Sequence, residues 1–266
     1  VSTLACCRRY VVPALALASG ERAAAPLIED YADEFVTKMM FHYRWAFEDS
    51  YSRVAPMLVY WQSPKGPDAG PMAEQFAQRQ VGRLGVVGSN MTTGPVIEAA
   101  YKRLLPILDA LIAKQGYVLG ERPSAADFAL HGQLSQLAQI DTVSMEIALD
   151  TSLRVRAWLD RMEDLSGIDV SVSDWADPSN LAVFGPLLTE IGQTYAPFMR
   201  ANAEAVMGGN DNFKTTVAGA EWTQSTFPYQ AKCVAALRAS YDALPPESRA
   251  TVDAALAGTG CEVLFA

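Results

Sequence analysis

The run Gly116-Tyr117-Val118-Leu119-Gly120-Glu121-Arg122-Pro123-Ser124-Ala125-Ala126-Asp127-Phe128 constrains this chain more than any other part of it. Ser124 and Asp127 stand at the spacing of an N-terminal capping box, in which a hydroxyl caps the first turn of a helix and an acid three residues on reaches back to the cap. A helix starts there, and Leu130, Leu134 and Leu137 continue it to about Ile140. Capping accounts for the Ser124 and Asp127 spacing without any catalytic role for either residue.

The same periodicity marks other helices. Leu27, Ile28, Tyr31, Phe35 and Met39 recur at spacings of three and four, predicting a first core helix over 25–47. Its end, Phe41-His42-Tyr43-Arg44-Trp45-Ala46-Phe47, is dense in large amphipathic side chains. A turn is expected around Glu48 to Tyr51, and Val54 to Trp61 reads as helix or as a short extended piece. The Ser63-Pro64-Lys65-Gly66-Pro67 break is a loop. Helices are expected over Pro71 to Val86, Pro95 to Lys114 with a kink at Pro106, and Leu153 to about Leu165 with Val155, Trp158, Leu159 and Met162 facing inward. Further on, Leu181 to Met207 reads as one helix stopped by Gly208 and Gly209, Phe213 to Phe227 as a strand pair or ordered loop, and Tyr229 to Leu244 and Glu247 to Leu256 as two short helices.

The glycine-bearing lead-in to Ser124-x-x-Asp127, followed downstream by Arg156-Ala157-Trp158-Leu159-Asp160-Arg161-Met162, resembles the C-terminal helical domain of the glutathione transferases. The resemblance covers roughly residues 25–165. It implies an all-α bundle, here with an additional mostly helical C-terminal extension. The expected organisation is a linker or remnant of a missing N-terminal domain over 1–24, the helical domain over 25–170, and the extension over 171–266 packed on it. A complete family member begins with a thioredoxin-like half that binds glutathione and activates its thiol. The stretch before residue 25 is too short for even one βαβ unit, which takes roughly 30 residues or more. The expectation is a glutathione-transferase-like protein whose helical half supplies an apolar acceptor pocket and does not catalyse conjugation alone. It acts as an enzyme only if the thioredoxin-like half exists in the full protein. The alternative is a non-enzymatic ligand-binding or dimerisation module.

By position, the resemblance makes His42, Tyr43, Arg44, Trp45 and Phe47 the pocket candidates, against the plainer reading that an aromatic stripe at helical spacing is core. No catalytic residue is assigned. His131 and Ser135 share a helix face but lack a nucleophile elbow or an orienting acid in context. Glutathione is the expected co-substrate, with no cofactor, and a small apolar molecule or a second copy in a homodimer is the expected partner.

Composition narrows the rest. A net charge of −9 repels phosphate backbones and anionic lipid, so nucleic acid is not an expected partner. No apolar run reaches the roughly 20 residues that span a bilayer. Arg8 and Arg9 before an apolar stretch ending Ala16-Leu17-Ala18 have the look of an export signal, but Pro13 interrupts it. Cys6, Cys7, Cys233 and Cys261 lack the spacing of a disulfide framework or a paired-cysteine zinc site, so free thiols, a cytoplasmic setting and no metal are expected.

Overall fold

The computed structural model describes residues 21–66, 68–176 and 182–266. Its first helix, α1, runs through Glu21–Tyr31, a π-helical stretch Ala32–Val36, and Thr37–Trp45. Leu27, Ile28, Tyr31, Phe35, Val36 and Met39 are all at most 1% exposed, so the spacing of three and four translates into one buried stripe. The expected linker over 1–24 lies largely outside the described residues, and 21–24 are already helical. The helix closes at Ala46, and Phe47, which is extended, stands at the N-cap position of the next one.

Helix α2 (Glu48–Gln62) begins at once, so the turn expected over Glu48 to Tyr51 is instead its first turn, with Glu48 and Asp49 placed favourably at the positive end of the helix. It stops at Ser63, which is non-helical as residues before proline generally are. Helix α3 (Gly70–Val81) pairs with it, and the expected continuation to Val86 is replaced by a 3-10 turn over Leu84–Val87. This α2–α3 hairpin has its own small core of Trp45, Ala55, Ala73 and Ala77.

Helix α4 (Gly94–Gln115) passes through Pro106 and buries Ile97, Tyr101, Leu104, Leu105, Leu108 and Ile112. Helix α5 (Ala125–Gln139) starts at the capping box read from the sequence. The lead-in glycine at 120 has a physical reason: its φ is +137°, and the backbone of Asp174 to Ala176 crosses where a side chain would project. Glu121 N–H donates to the Asp174 carbonyl at 2.6 Å and Ala176 N–H to the Leu119 carbonyl at 2.9 Å. Helix α6 (Thr142–Thr151), which periodicity did not reveal, and α7 (Leu153–Glu163) complete this set. Val155, Trp158, Leu159 and Met162 face inward as expected.

After a 3-10 turn at Val172–Asp174, the described residues include α8 (Gly185–Gln193), α9 (Tyr195–Met207), β1 (Asn212–Val217), β2 (Ala220–Ser225), α10 (Pro228–Asp242), α11 (Pro246–Leu256) and a 3-10 turn at Cys261–Leu264. The single helix expected to Met207 is two helices that meet at Thr194, where φ and ψ are −111° and −69°. Pro197 supplies a local cause: it has no N–H for the Gln193 carbonyl, which accepts the Ala218 N–H at 2.8 Å instead. Gly192 lies against the backbone of Thr259 and Cys261 so closely that any side chain would collide.

The strands form an antiparallel hairpin with Phe213 opposite Gln224 and Thr215 opposite Trp222, turning at Ala218-Gly219 with both φ positive. Trp222 is fully buried against Phe35 of α1 and Phe198 of α9, with ring centroids 6.2 and 6.0 Å away. One hydrophobic core therefore runs from α1 and α4–α7 through the later elements.

Lys38 pins this junction. It is 3% exposed, donates to the Val87 carbonyl at 3.1 Å and to Gln224 Oε1 at 3.3 Å, and lies over the Phe198 ring. Burial lowers its pKa from 10.5 to about 7, opposed by the charge of Glu34. Between those values the unfolded chain carries a proton that the folded chain has released, so stability rises with pH across the window. Replacing Lys38 with Met is expected to flatten the rise in urea-unfolding free energy between pH 7 and pH 9, by on the order of 1–3 kcal/mol.

Candidate functional site

The aromatic end of α1 is where the five candidate residues lie, and the packing of each is specific. Tyr43 is fully buried, stacks on Phe47 at 5.5 Å with planes 15° apart, and meets Tyr101 of α4 edge-on at 5.1 Å. Phe47 remains partly exposed at the edge of this group. Trp45 points the other way, into the α2–α3 hairpin, 5.5 Å from Phe76. Arg44 is also buried: its guanidinium holds Asp141 at 2.8 and 3.2 Å and Gln136 at 2.8 Å, joining α1 to the α5–α6 corner. Burial pushes the Asp141 carboxyl up, and Arg44 draws it back down.

His42 organises the polar part. Its Nδ1 lies 2.8 Å from Ser89 Oγ and its Nε2 3.3 Å from Glu98 Oε1, while its ring packs edge-on against Tyr43 and Phe47. Burial lowers its pKa, against the hydrogen bond and charge of Glu98, which act to raise it. The neutral ring then donates from Nε2 to the carboxylate and accepts the Ser89 hydroxyl proton at Nδ1, a tautomer inferred from the partners. Gly94 at the start of α4 leaves room for the ring: a Cβ there would stand 3.1 Å from His42 Cε1.

The serine–histidine–glutamate order has the connectivity of a proton relay. Ser89 and His42 are each 5% exposed, and only the Glu98 side chain, 33% exposed, reaches water. The Ser89 hydroxyl is therefore enclosed, and the arrangement tethers the turn after Leu84–Val87 to α1 and α4. Ser89 and Glu98 lie 47 and 56 residues from His42, and no sequence signal named them.

The structure thus gathers His42, Tyr43 and Phe47 in one cluster and sends Arg44 and Trp45 into two others. Elsewhere, an open groove of about 710 Å³ lies between α8 and α11, lined by small side chains such as Gly185, Thr189, Ala250 and Ala254, and none of the five borders it. Both described cysteines carry thiols pushed up to about 12, chiefly by burial, and Cys261 donates to the Leu188 carbonyl. Neither is a thiolate at neutral pH. No helix among the described residues is long and apolar enough to cross a membrane.

Residues 76–161, from within α3 to near the end of α7, match the family model of the glutathione S-transferase C-terminal domain. No curated protein and no solved structure matches the chain. The capped α5 and the α4 that carries Tyr101 and Glu98 both lie inside the matched segment, so residues 76–161 of this chain are a domain of the glutathione S-transferase C-terminal type within a larger, mostly helical protein.

Proposed function

We propose that this chain serves as the acceptor side of a glutathione-transferase-like protein, offering an apolar surface to a small hydrophobic molecule without activating a thiol by itself. The supporting observation is that the family-matched α4 and α5 pack directly against α1, whose aromatic end reaches the surface at Phe47. The elevated thiols of Cys233 and Cys261 support the second half of the reading. Incubating the chain with glutathione and an aromatic halide electrophile is expected to give conjugate at the uncatalysed rate. Saturable turnover by the chain alone, with a kcat that survives removal of its cysteines, would overturn the non-catalytic assignment.

A second reading, a module that pairs with another copy of itself, is favoured by exposed apolar side chains on the α2–α3 hairpin. Trp61 is 55% and Met72 65% exposed, with Met57 and Tyr60 on the same pair of helices.

A further inference from the structure

Asp30 and Glu34 stand four residues apart on α1, where it passes into its π-helical stretch, and α10 crosses beside them with Cys233. One oxygen from each carboxylate and the Cys233 Sγ all lie within 4.8 Å of one another. All three residues are partly exposed, so an ion from solvent can reach them.

A neutral group holds each carboxylate. The buried Tyr195 hydroxyl donates to Asp30 Oδ2. Gln230 donates its amide nitrogen to Glu34 Oε2 at 2.8 Å. Outer partners of this kind orient metal ligands and fix their rotamers.

Gln230 gives an independent indication. Its side chain is 5% exposed and reaches Glu34, yet its carbonyl Oε1 is buried and has no hydrogen-bond partner. A buried amide oxygen without a donor beside a carboxylate is costly as it stands, and a cation satisfies both groups at once. Flipping the amide does not remove the problem, because oxygen would then face the carboxylate. Charge points the same way. Glu29 and Asp33 flank the pair, and among the described residues no basic side chain forms an ion pair with any of these four acids. Lys38, one turn further on, is directed instead at Val87 and Gln224. Burial, with the charges of the neighbouring acids, raises the Asp30 carboxyl to about 6 and the Cys233 thiol to about 12.

We propose that Asp30, Glu34 and Cys233 form a binding site for a divalent transition metal of borderline softness, of the Zn²⁺ class, with the Gln230 carbonyl as a further oxygen donor. One thiolate with oxygen donors suits such an ion better than Mg²⁺ or Ca²⁺, which take oxygen ligands alone. Bonds of about 2.0–2.3 Å draw the ligand atoms closer than they now stand, a contraction that side-chain rotation supplies. On binding, the Cys233 S–H bond breaks, its proton passes to buffer, and a sulfur–metal bond forms with no change of oxidation state.

Co²⁺ titrated into the full chain tests the site. The expected result is one equivalent bound per chain with a thiolate-to-cobalt charge-transfer band in the near ultraviolet, bleached by added Zn²⁺. The band is expected to vanish in Cys233→Ser and to persist in Cys261→Ser and in the Cys6→Ser, Cys7→Ser double variant. Asp30→Asn and Glu34→Gln are each expected to weaken binding by about tenfold or more, with helical circular dichroism unchanged. Absence of stoichiometric Co²⁺, or a band that survives Cys233→Ser in a folded protein, would overturn the assignment.

Discussion

Replacing Asp127 with Ala is expected to lower the unfolding free energy by about 3–5 kcal/mol, through the loss of buried hydrogen-bond acceptors. Asp127 is fully buried, and its carboxylate has three tasks. It accepts the Ser124 N–H at 2.9 Å and the Ser124 hydroxyl at 2.5 Å through one oxygen, and the Val118 N–H at 2.8 Å through the other. Alanine strands two backbone donors in the core, each costing about 1–3 kcal/mol, and removes the cap. Ser124→Ala keeps the carboxylate and is expected to cost only about 1 kcal/mol. Burial raises the Asp127 pKa from 3.8 to about 6, against its four hydrogen-bond contributions. Over that interval the folded chain binds the extra proton, so this group makes stability fall as pH rises from about 4 to about 6. Asp127→Asn is expected to lose that slope. Urea unfolding of the three variants at pH 4, 5 and 6 checks both the order and the slope.

Trp222→Ala is expected to cost about 3–5 kcal/mol as well, because truncating a fully buried indole leaves a cavity that backbone cannot fill. The site has little capacity to collapse. Phe35 and Phe198 are held by their own helices, and Gly88, at φ +81°, already lies against Trp222 and Gln224 so closely that a Cβ would clash. Gln224 keeps its bond from Lys38 when the indole donor is lost, so the penalty is chiefly one of packing. For a chain of this size the melting temperature is expected to fall by on the order of 10 °C. Hydrogen exchange is expected to accelerate first in β1 and β2, since the indole is their main attachment to α1. A drop below about 1 kcal/mol would mean that the hairpin contributes little to the shared core.

These two residues mark the limits of what sequence reasoning reached. Ser124 and Asp127 are legible because a cap is local: both partners lie within one turn, and the chemistry requires that spacing. Periodicity found α1, α4, α5 and α7 for the same reason, since each buries a continuous stripe of large apolar side chains. Helix α6 escaped because its fully buried positions are the small Thr142, Ser144 and Ala148, and its apolar contacts, Val143 and Ile147, amount to a single short pair. Its cap residue, Asp141, is occupied by Arg44 instead of capping with its side chain. The break at Thr194 has a local cause that the helical periodicity of Leu187, Leu188 and Ile191 masked: Pro197 leaves the Gln193 carbonyl without an intrahelical donor. In the site, too, only the local part was legible. The aromatic end of α1 was visible as a cluster, but Ser89 and Glu98 reach His42 only through the fold. Gln230 and Glu34, 196 residues apart, meet through α10 packing on α1, which no local spacing encodes.

The proposed acceptor role is tested most directly by calorimetric titration of the chain with S-alkyl glutathiones of increasing chain length. If the chain supplies an apolar surface and no glutathione site, affinity should climb by roughly fourfold per added methylene, about 0.8 kcal/mol each, with glutathione alone showing no binding. It should also fall when Phe47 is replaced by Ala. Affinity that is independent of alkyl length, or tight binding of glutathione itself, would contradict the account.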